Sequence, residues 1–268
     1  LGTDAEQVST ADLMAIAEGE DRLVEGGLGS FVEMLGRDLP VRLGHAVRRI
    51  DWGGADVVLE GGFGRLRVTR CLVTVPTDLM VDGSLAFSPD LPADLADGFS
   101  GLPLGLMTKI AFRLSAPIVG FPEFAAPLGA IKSGRPAVIH LAKRAPVATV
   151  LVGGRLARDL CADGDGAVFD FGEGILAEVL GSGARARVTH RARTRWDQDP
   201  FARGSYSIAR PGRAGARAVY DMALAERVFF AGEASGGHGM SSTVGGAWVS
   251  GVRAATRIAG TLPARQGG

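Results

Sequence analysis

Val228-Phe229-Phe230-Ala231-Gly232-Glu233 is followed by a Gly/Ser-rich loop, Ala234 to Ser242. After it comes Thr243-Val244-Gly245-Gly246-Ala247-Trp248-Val249-Ser250-Gly251-Val252-Arg253-Ala254-Ala255, and the fold turns on how this stretch is read. The first six residues read as a buried strand ending in a glycine and an acid, and the last run as a helix crowded with small residues. Small side chains let a helix approach a sheet or a ligand closely. The helix start offers free N–H groups and a positive dipole end to an anion or a carbonyl oxygen. The unit is therefore expected to be a cofactor-binding strand, loop and helix. No P-loop, G-x-S-x-G elbow or H-E-x-x-H motif competes with it.

Upstream, from Pro40 to Pro76, short β runs alternate with Gly-rich turns at Gly53-Gly54 and Gly61-Gly62: Val41–Leu43, Ala46–Ile50, Val57–Leu59, Leu66–Val68 and Cys71–Val75. The pattern predicts a β-meander ending in a buried strand. That strand stops at Pro76, the geometry of a central α/β strand whose carboxyl end faces a ligand. Leu23-Val24-Glu25-Gly26-Gly27-Leu28-Gly29-Ser30 before Phe31–Leu35 reads as strand, glycine turn and helix, but Val32 stands where a G-x-G-x-x-G cradle needs its third glycine. Residues 11 to 18 carry helical spacing after the cap candidates Ser9 and Thr10. Between Leu102 and Leu114 lies a long apolar run, with further strands expected at 137–141 and 148–152 and a helix at 171–180. Asp163-Gly164-Asp165-Gly166 lacks the downstream ligands of a calcium loop and reads as a polar turn, so no metal site is expected. The fold class is α/β (α+β).

Composition narrows the function. The chain has 268 residues, 46% of them hydrophobic, which suffices for one large or two modest domains and excludes disorder. Lys plus Arg and Asp plus Glu both number 29, so no net field draws the protein to nucleic acid or anionic lipid. Cys71 and Cys161 lie far apart among apolar neighbours, which predicts buried inert thiols rather than a zinc site or a disulfide framework. No run approaches the length of a membrane span and no signal peptide is visible, so a cytoplasmic, reducing setting is expected. The first residue is Leu1 rather than Met, as in a processed or split piece of something longer.

The terminal strand, loop and helix resemble the last segment of the flavin-containing amine oxidases, the family of monoamine, polyamine and L-amino-acid oxidases and flavin histone demethylases. Three further blocks match in order. Val24-x-Gly26-Gly27-x-Gly29, with Val41-x-Leu43, Val47, Ile50 and Thr74-x-Pro76, is similar to the family's middle FAD segment. Leu102-Pro103-Leu104-Gly105-x-x-x-Lys109 is similar to its lysine strand, and Trp196-x-x-Asp199-Pro200-x-x-x-Gly204-Ser205-Tyr206-Ser207 to its tryptophan-to-tyrosine segment. The resemblance implies part of an FAD-binding Rossmann-like domain (19–98 and 200–262) and a mixed-sheet substrate domain (99–199), with 1–18 as the tail of a helical region and 263–268 as a terminal tail. The family's amino-terminal G-x-G-x-x-G block has no counterpart here. Either a separate partner chain carrying that FAD-binding half, and so a hetero-oligomer, is expected, or the sequence is a truncated piece of a longer chain.

The resemblance also assigns roles. Glu233 would accept a hydrogen bond from a ribityl hydroxyl of FAD, and at a strand end such a carboxylate needs partners; a helix-capping acid is the alternative. Val244 would offer its N–H to the flavin pyrimidine oxygen, or serve only as core. Val47 would pair its backbone with the adenine, a role any buried strand valine could mimic. Lys109 would reach flavin N5 through a water and assist reaction with oxygen, or simply snorkel from a strand. Trp196 would pack beside the isoalloxazine and Tyr206 would wall an amine-binding cage, unless both are core aromatics. Ser205 stands where some members carry a cysteine bonded to the flavin, so FAD is expected to be non-covalent. Thr243 replaces the second aromatic cage wall, while Pro76, Gly232 and Ala247 complete the cofactor positions. The expected activity is oxidation of an amine or amino acid by hydride transfer to flavin N5, with O2 reduced to hydrogen peroxide. A carotenoid-desaturase-like flavin dehydrogenase and a non-catalytic subunit stabilising an FAD-binding chain are the alternatives.

Overall fold

A computed structural model describes residues 2–17, 24, 26–120, 131–142, 145–235 and 239–262. The strand expected before Gly26 and the tail 263–268 fall largely or wholly outside these residues. Helix α1 (Thr10–Met14) starts where the cap candidates predicted, with the Ser9 hydroxyl accepting the Asp12 N–H at 3.3 Å. It is followed by α2 (Leu28–Gly36).

The expected meander forms as β1 (Val47–Asp51), β2 (Val57–Gly61) and β3 (Gly64–Val68), all antiparallel. Val41–Leu43 makes no strand: the run is exposed and no edge is offered to it, so β-propensity alone does not hold it. β4 (Cys71–Val73) leaves this sheet, α3 (Thr77–Val81) follows, and β5 (Ala86–Ser88) returns parallel to β1, giving the order β3-β2-β1-β5. α4 (Ala93–Ser100) closes this part.

The apolar run then becomes β6 (Met107–Leu114), in which Thr108, Ile110, Phe112 and Leu114 are buried while Lys109 and Arg113 on the other face are exposed. β7 (Ala137–Leu141) and β8 (Val147–Gly153) follow as anticipated. Helices α5 (Gly154–Ala162) and α6 (Asp165–Leu180) come next, then β9 (Val188–Arg193), and the antiparallel order is β7-β8-β6-β9. The helix expected at 171–180 is thus longer and begins at the Asp163–Gly166 turn. That turn's Asp165 carboxylate is spent on Arg193 at 2.6 Å and Arg195 at 2.5 Å. Both helices cover the buried face of the sheet, and α6 comes close because Gly172 has no side chain: a Cβ there would sit 2.8 Å from the Phe112 ring.

The last segment runs through a 3-10 stretch, Ala214–Asp221, then β10 (Ala223–Leu224), β11 (Val228–Phe230) and α7 (Val244–Thr261), which is capped by Thr243. β11 lies parallel to β4, with Val228 opposite Cys71 and Phe230 opposite Val73, while β10 flanks it antiparallel. Two hydrophobic cores result. One joins the meander to this small sheet through Ile50, Val57, Phe99, Tyr220 and Phe230, and the Phe99 and Phe230 rings meet edge to face at 5.1 Å. The other lies between the four-stranded sheet and α5/α6, around Ile110, Phe112, Val150, Ile175 and Leu176.

Candidate active site

Parallel strands deliver ligands to the crevice beyond their carboxyl ends. Beyond β4 lie Thr74, Val75 and Pro76, and beyond β11 lie Gly232 and Glu233. These two ends, together with Leu104, Trp196, Gly204, Ser205 and Tyr220, enclose a cleft of about 190 Å³. Gly204 shapes one wall, since a Cβ at that position would lie 2.6 Å from the Leu104 side chain and 2.7 Å from the Gly105 carbonyl. Ser205 spans the same wall, its hydroxyl donating to the Gly105 carbonyl and accepting the Met107 N–H, both at 3.1 Å.

Glu233 is the carboxylate of the cleft. Ser207 grips it twice, its N–H donating to Oε1 at 3.0 Å and its hydroxyl to Oε2 at 2.9 Å. Burial pushes the Glu233 carboxyl above the usual carboxylate range, against the Ser207 bonds and the Arg217 charge, which pull it down. Burial first, and then the Glu233 charge, also push the Tyr220 phenol well above its ordinary value.

Five of the expected positions, Pro76, Trp196, Ser205, Gly232 and Glu233, therefore converge on one cleft from three separate sequence blocks. The others stand elsewhere. Tyr206 does not line the cleft; its hydroxyl accepts the Gly2 N–H at 2.9 Å. Lys109 lies on the open face of β6, beside a second cavity of about 300 Å³ shared with His140, Thr149 and Leu151. Thr243 spends its hydroxyl on the start of α7, accepting the Gly246 N–H at 2.9 Å and donating to the Met240 carbonyl at 2.7 Å. Val244 follows it in the first turn, exposed, and the Ala247 N–H is taken by the Thr243 carbonyl at 3.0 Å. Val47 sits half-buried at the start of β1, against the first core.

Sequence reasoning missed Tyr220, although its being one of only two tyrosines was a usable signal. It also missed the buried Asp12–Arg217 pair behind Glu233, for which no local signal exists because the partners are 205 positions apart.

The family model for flavin-containing amine oxidoreductases matches residues 9–259. The chain belongs to this family. Among curated relatives, the mouse (Mus musculus) lysine-specific histone demethylase 1B is 29% identical over 275 residues, 96% of this chain and 33% of that protein. Polyamine oxidase 4 of Oryza sativa subsp. japonica is 27% identical over 262 residues, 95% of this chain and 53% of that one. Of solved structures, cyclohexylamine oxidase from Brevibacterium oxydans IH-35A superposes with a TM-score of 0.69 at 21% identity, over 97% of this chain and 60% of the other. The chain spans between about a third and three fifths of the length of these relatives. The superposition gives this chain the mixed α/β fold of that amine oxidase, and the family it belongs to is flavin-containing. The cleft fits a flavin on its own terms: Val75, Pro76, Leu104 and the half-exposed Trp196 offer apolar walls to a ring, and Glu233 offers acceptor oxygens to a hydroxylated chain. No helix among the described residues is long and apolar enough to cross a membrane.

Proposed function

We propose that the chain is the cofactor- and substrate-binding portion of an FAD-dependent oxidase acting on the C–N bond of an amine or amino acid. The observation that carries this reading is the convergence of Pro76, Trp196, Ser205, Gly232 and Glu233 on one cleft at the carboxyl ends of two parallel strands. When bound, the flavin supplies an acceptor for the hydride leaving the amine-bearing carbon and passes the electrons to O2 as hydrogen peroxide. Glu233 holds a ribityl hydroxyl, Trp196 flanks the ring and Ser205 lines the wall without a covalent link. Val244 offers its N–H to the pyrimidine edge, with Val47, Thr243 and Ala247 in the remaining cofactor positions. Lys109 and Tyr206 act at the substrate side, where Lys109 faces out from the sheet of residues 99–199.

An amino-terminal portion with the pyrophosphate-binding turn, on the same polypeptide or a second chain, completes the site. Exposed apolar surface supports this: among the described residues β4 is an edge strand, and Val244, Trp248 and Val252, four residues apart on α7, are all more than half exposed. A cytoplasmic setting belongs to the same reading, supported by the free thiols Cys71 and Cys161.

The test is to combine the chain with its amino-terminal portion, load FAD and add amines. Bleaching of the flavin absorbance with peroxide release is expected; a loaded protein that no amine or amino acid reduces would refute the reading. That same exposed apolar surface favours, as a second reading, a subunit that only stabilises a partner. Lys109→Met separates the two, since an oxidase loses rate in flavin reoxidation and an assembly subunit does not.

A further inference from the structure

Behind the cleft runs a buried polar chain that no catalytic step requires. Asp12 on α1 and Arg217 in the 3-10 stretch are both about 95% buried and form a fork, Nε to Oδ1 at 2.6 Å and Nη2 to Oδ2 at 2.7 Å. The remaining nitrogen of the guanidinium, Nη1, donates to the Ala234 carbonyl at 3.0 Å and to the Ser207 hydroxyl at 3.1 Å. The polarity of this chain is forced. Arginine has no acceptor, so at that contact the Ser207 oxygen must accept, and its single proton is left to point at Glu233 Oε2, 2.9 Å away. With the Ser207 N–H on Oε1, both carboxylate oxygens are then held by donors from one side, and the free lone pairs are those turned to the cleft. Ser207 is fully buried, so no water competes for its hydroxyl.

We propose that Arg217, clamped by Asp12, is a positioning residue that acts through Ser207 to present Glu233 to the cleft as a pure hydrogen-bond acceptor, selecting a hydroxyl-bearing ligand segment. The proposal rests on the reading of the cleft as a flavin site. Without the Arg217 donor, the Ser207 hydroxyl is free to rotate and accept from a protonated Glu233, and the acceptor face is lost. The groups whose charge bears on Glu233 are Arg217 and Tyr220 from the 3-10 stretch and Tyr206 beside Ser207, with Asp12 behind Arg217. A Glu233 that must be ionised to accept loses ligand as pH falls through its titration. Removing donors or the Arg217 charge moves that loss to higher pH.

The experiment measures FAD and lumiflavin dissociation constants against pH by flavin fluorescence, on the chain with its amino-terminal portion. Lumiflavin carries the ring without the ribityl chain. Ser207→Ala, which keeps the ion pair, is expected to weaken FAD about tenfold, the order expected for one charge-assisted hydrogen bond. It should also shift the acid limb upward and leave lumiflavin unchanged. Arg217→Gln should behave likewise, with Arg217→Lys recovering part of the loss. Unchanged FAD affinity and pH profile in folded Ser207→Ala overturns the proposal even if Arg217→Gln fails to fold, and equal weakening of both ligands assigns the chain a structural role only. A wild type that binds lumiflavin but not FAD at any pH overturns it too, whereas one that binds neither flavin refutes the reading of the cleft itself.

Discussion

The two halves of this molecule finish their surfaces differently. The sheet β7-β8-β6-β9 buries one face under its own helices: Ile110, Phe112, Val150, Val168, Ile175 and Leu176 are all fully buried, and the apolar residues of their cluster all come from residues 106 to 188. The small sheet β10-β11-β4 has an equally dry centre at Val228, Phe229 and Phe230, yet β4 remains an edge and α7 turns Val244, Trp248 and Val252 outward. A helix normally carries its apolar stripe inward. Here the inner face of α7 carries small residues: Gly246 leaves room for the Met240 carbonyl, where a Cβ would sit 1.9 Å away, and the Ser250 hydroxyl accepts the Gly232 N–H at 3.2 Å, while large apolar residues face out. The open edge of β4 and the outward apolar side of α7 are the surfaces the proposed amino-terminal portion would cover, beside a region that is self-sufficient.

The contrast can be broken most sharply in the cores. Phe112→Ala in the self-contained sheet and Phe230→Ala in the small one should each cost about 3–5 kcal/mol by urea denaturation. A much smaller loss for Phe230 would mean that the second core is not formed without its cover. Next in size, Trp248→Ser should change the stability of the chain alone by less than about 0.5 kcal/mol but weaken its association with the amino-terminal portion at least tenfold, read by analytical ultracentrifugation or flavin retention. Equal association in the variant would return α7's outer face to ordinary surface.

Smaller effects follow from titration. The buried Glu233 carboxyl titrates above its ordinary value of about 4.5, so the folded chain holds that proton longer than the unfolded one. Without ligand, its contribution to stability is lost as pH rises from that value through the raised one, and Glu233→Gln should flatten this part of a melting-temperature profile. Smallest is a rate: burial pushes the Cys71 thiol up to about 11, leaving on the order of one thiolate in a thousand at pH 8, so iodoacetamide should label Cys71 in the folded chain far more slowly than in urea. Further slowing once the amino-terminal portion is added would sharpen the case that β4's edge is where the cover sits.

Much of the fold was legible because the signals are local. The long apolar run that forms β6, the glycine-and-acid end of β11 and the Ser9 cap each write their structure within a few residues. Where pattern was silent, elements escaped: β9, Val-Thr-His-Arg-Ala-Arg, is mostly exposed and exists as a strand because β6 offers it an edge, and α5 hides behind Gly153-Gly154, which reads as a turn. The candidate site divides in the same way. Pro76, Trp196, Ser205, Gly232 and Glu233 were readable as members of ordered blocks, yet only the parallel pairing of β4 with β11 brings them to one cleft.

By itself, then, the sequence determined the family, the order of its blocks and the residues that carry them, since these are written in spacing and residue type. Only the tertiary structure decided that Tyr220 rather than Tyr206 lines the cleft, that Lys109 faces a separate cavity, and that Asp12 reaches across the chain to Arg217. Contacts between distant positions have no local signature; burial forces each polar group to find whichever partner the packing brings near.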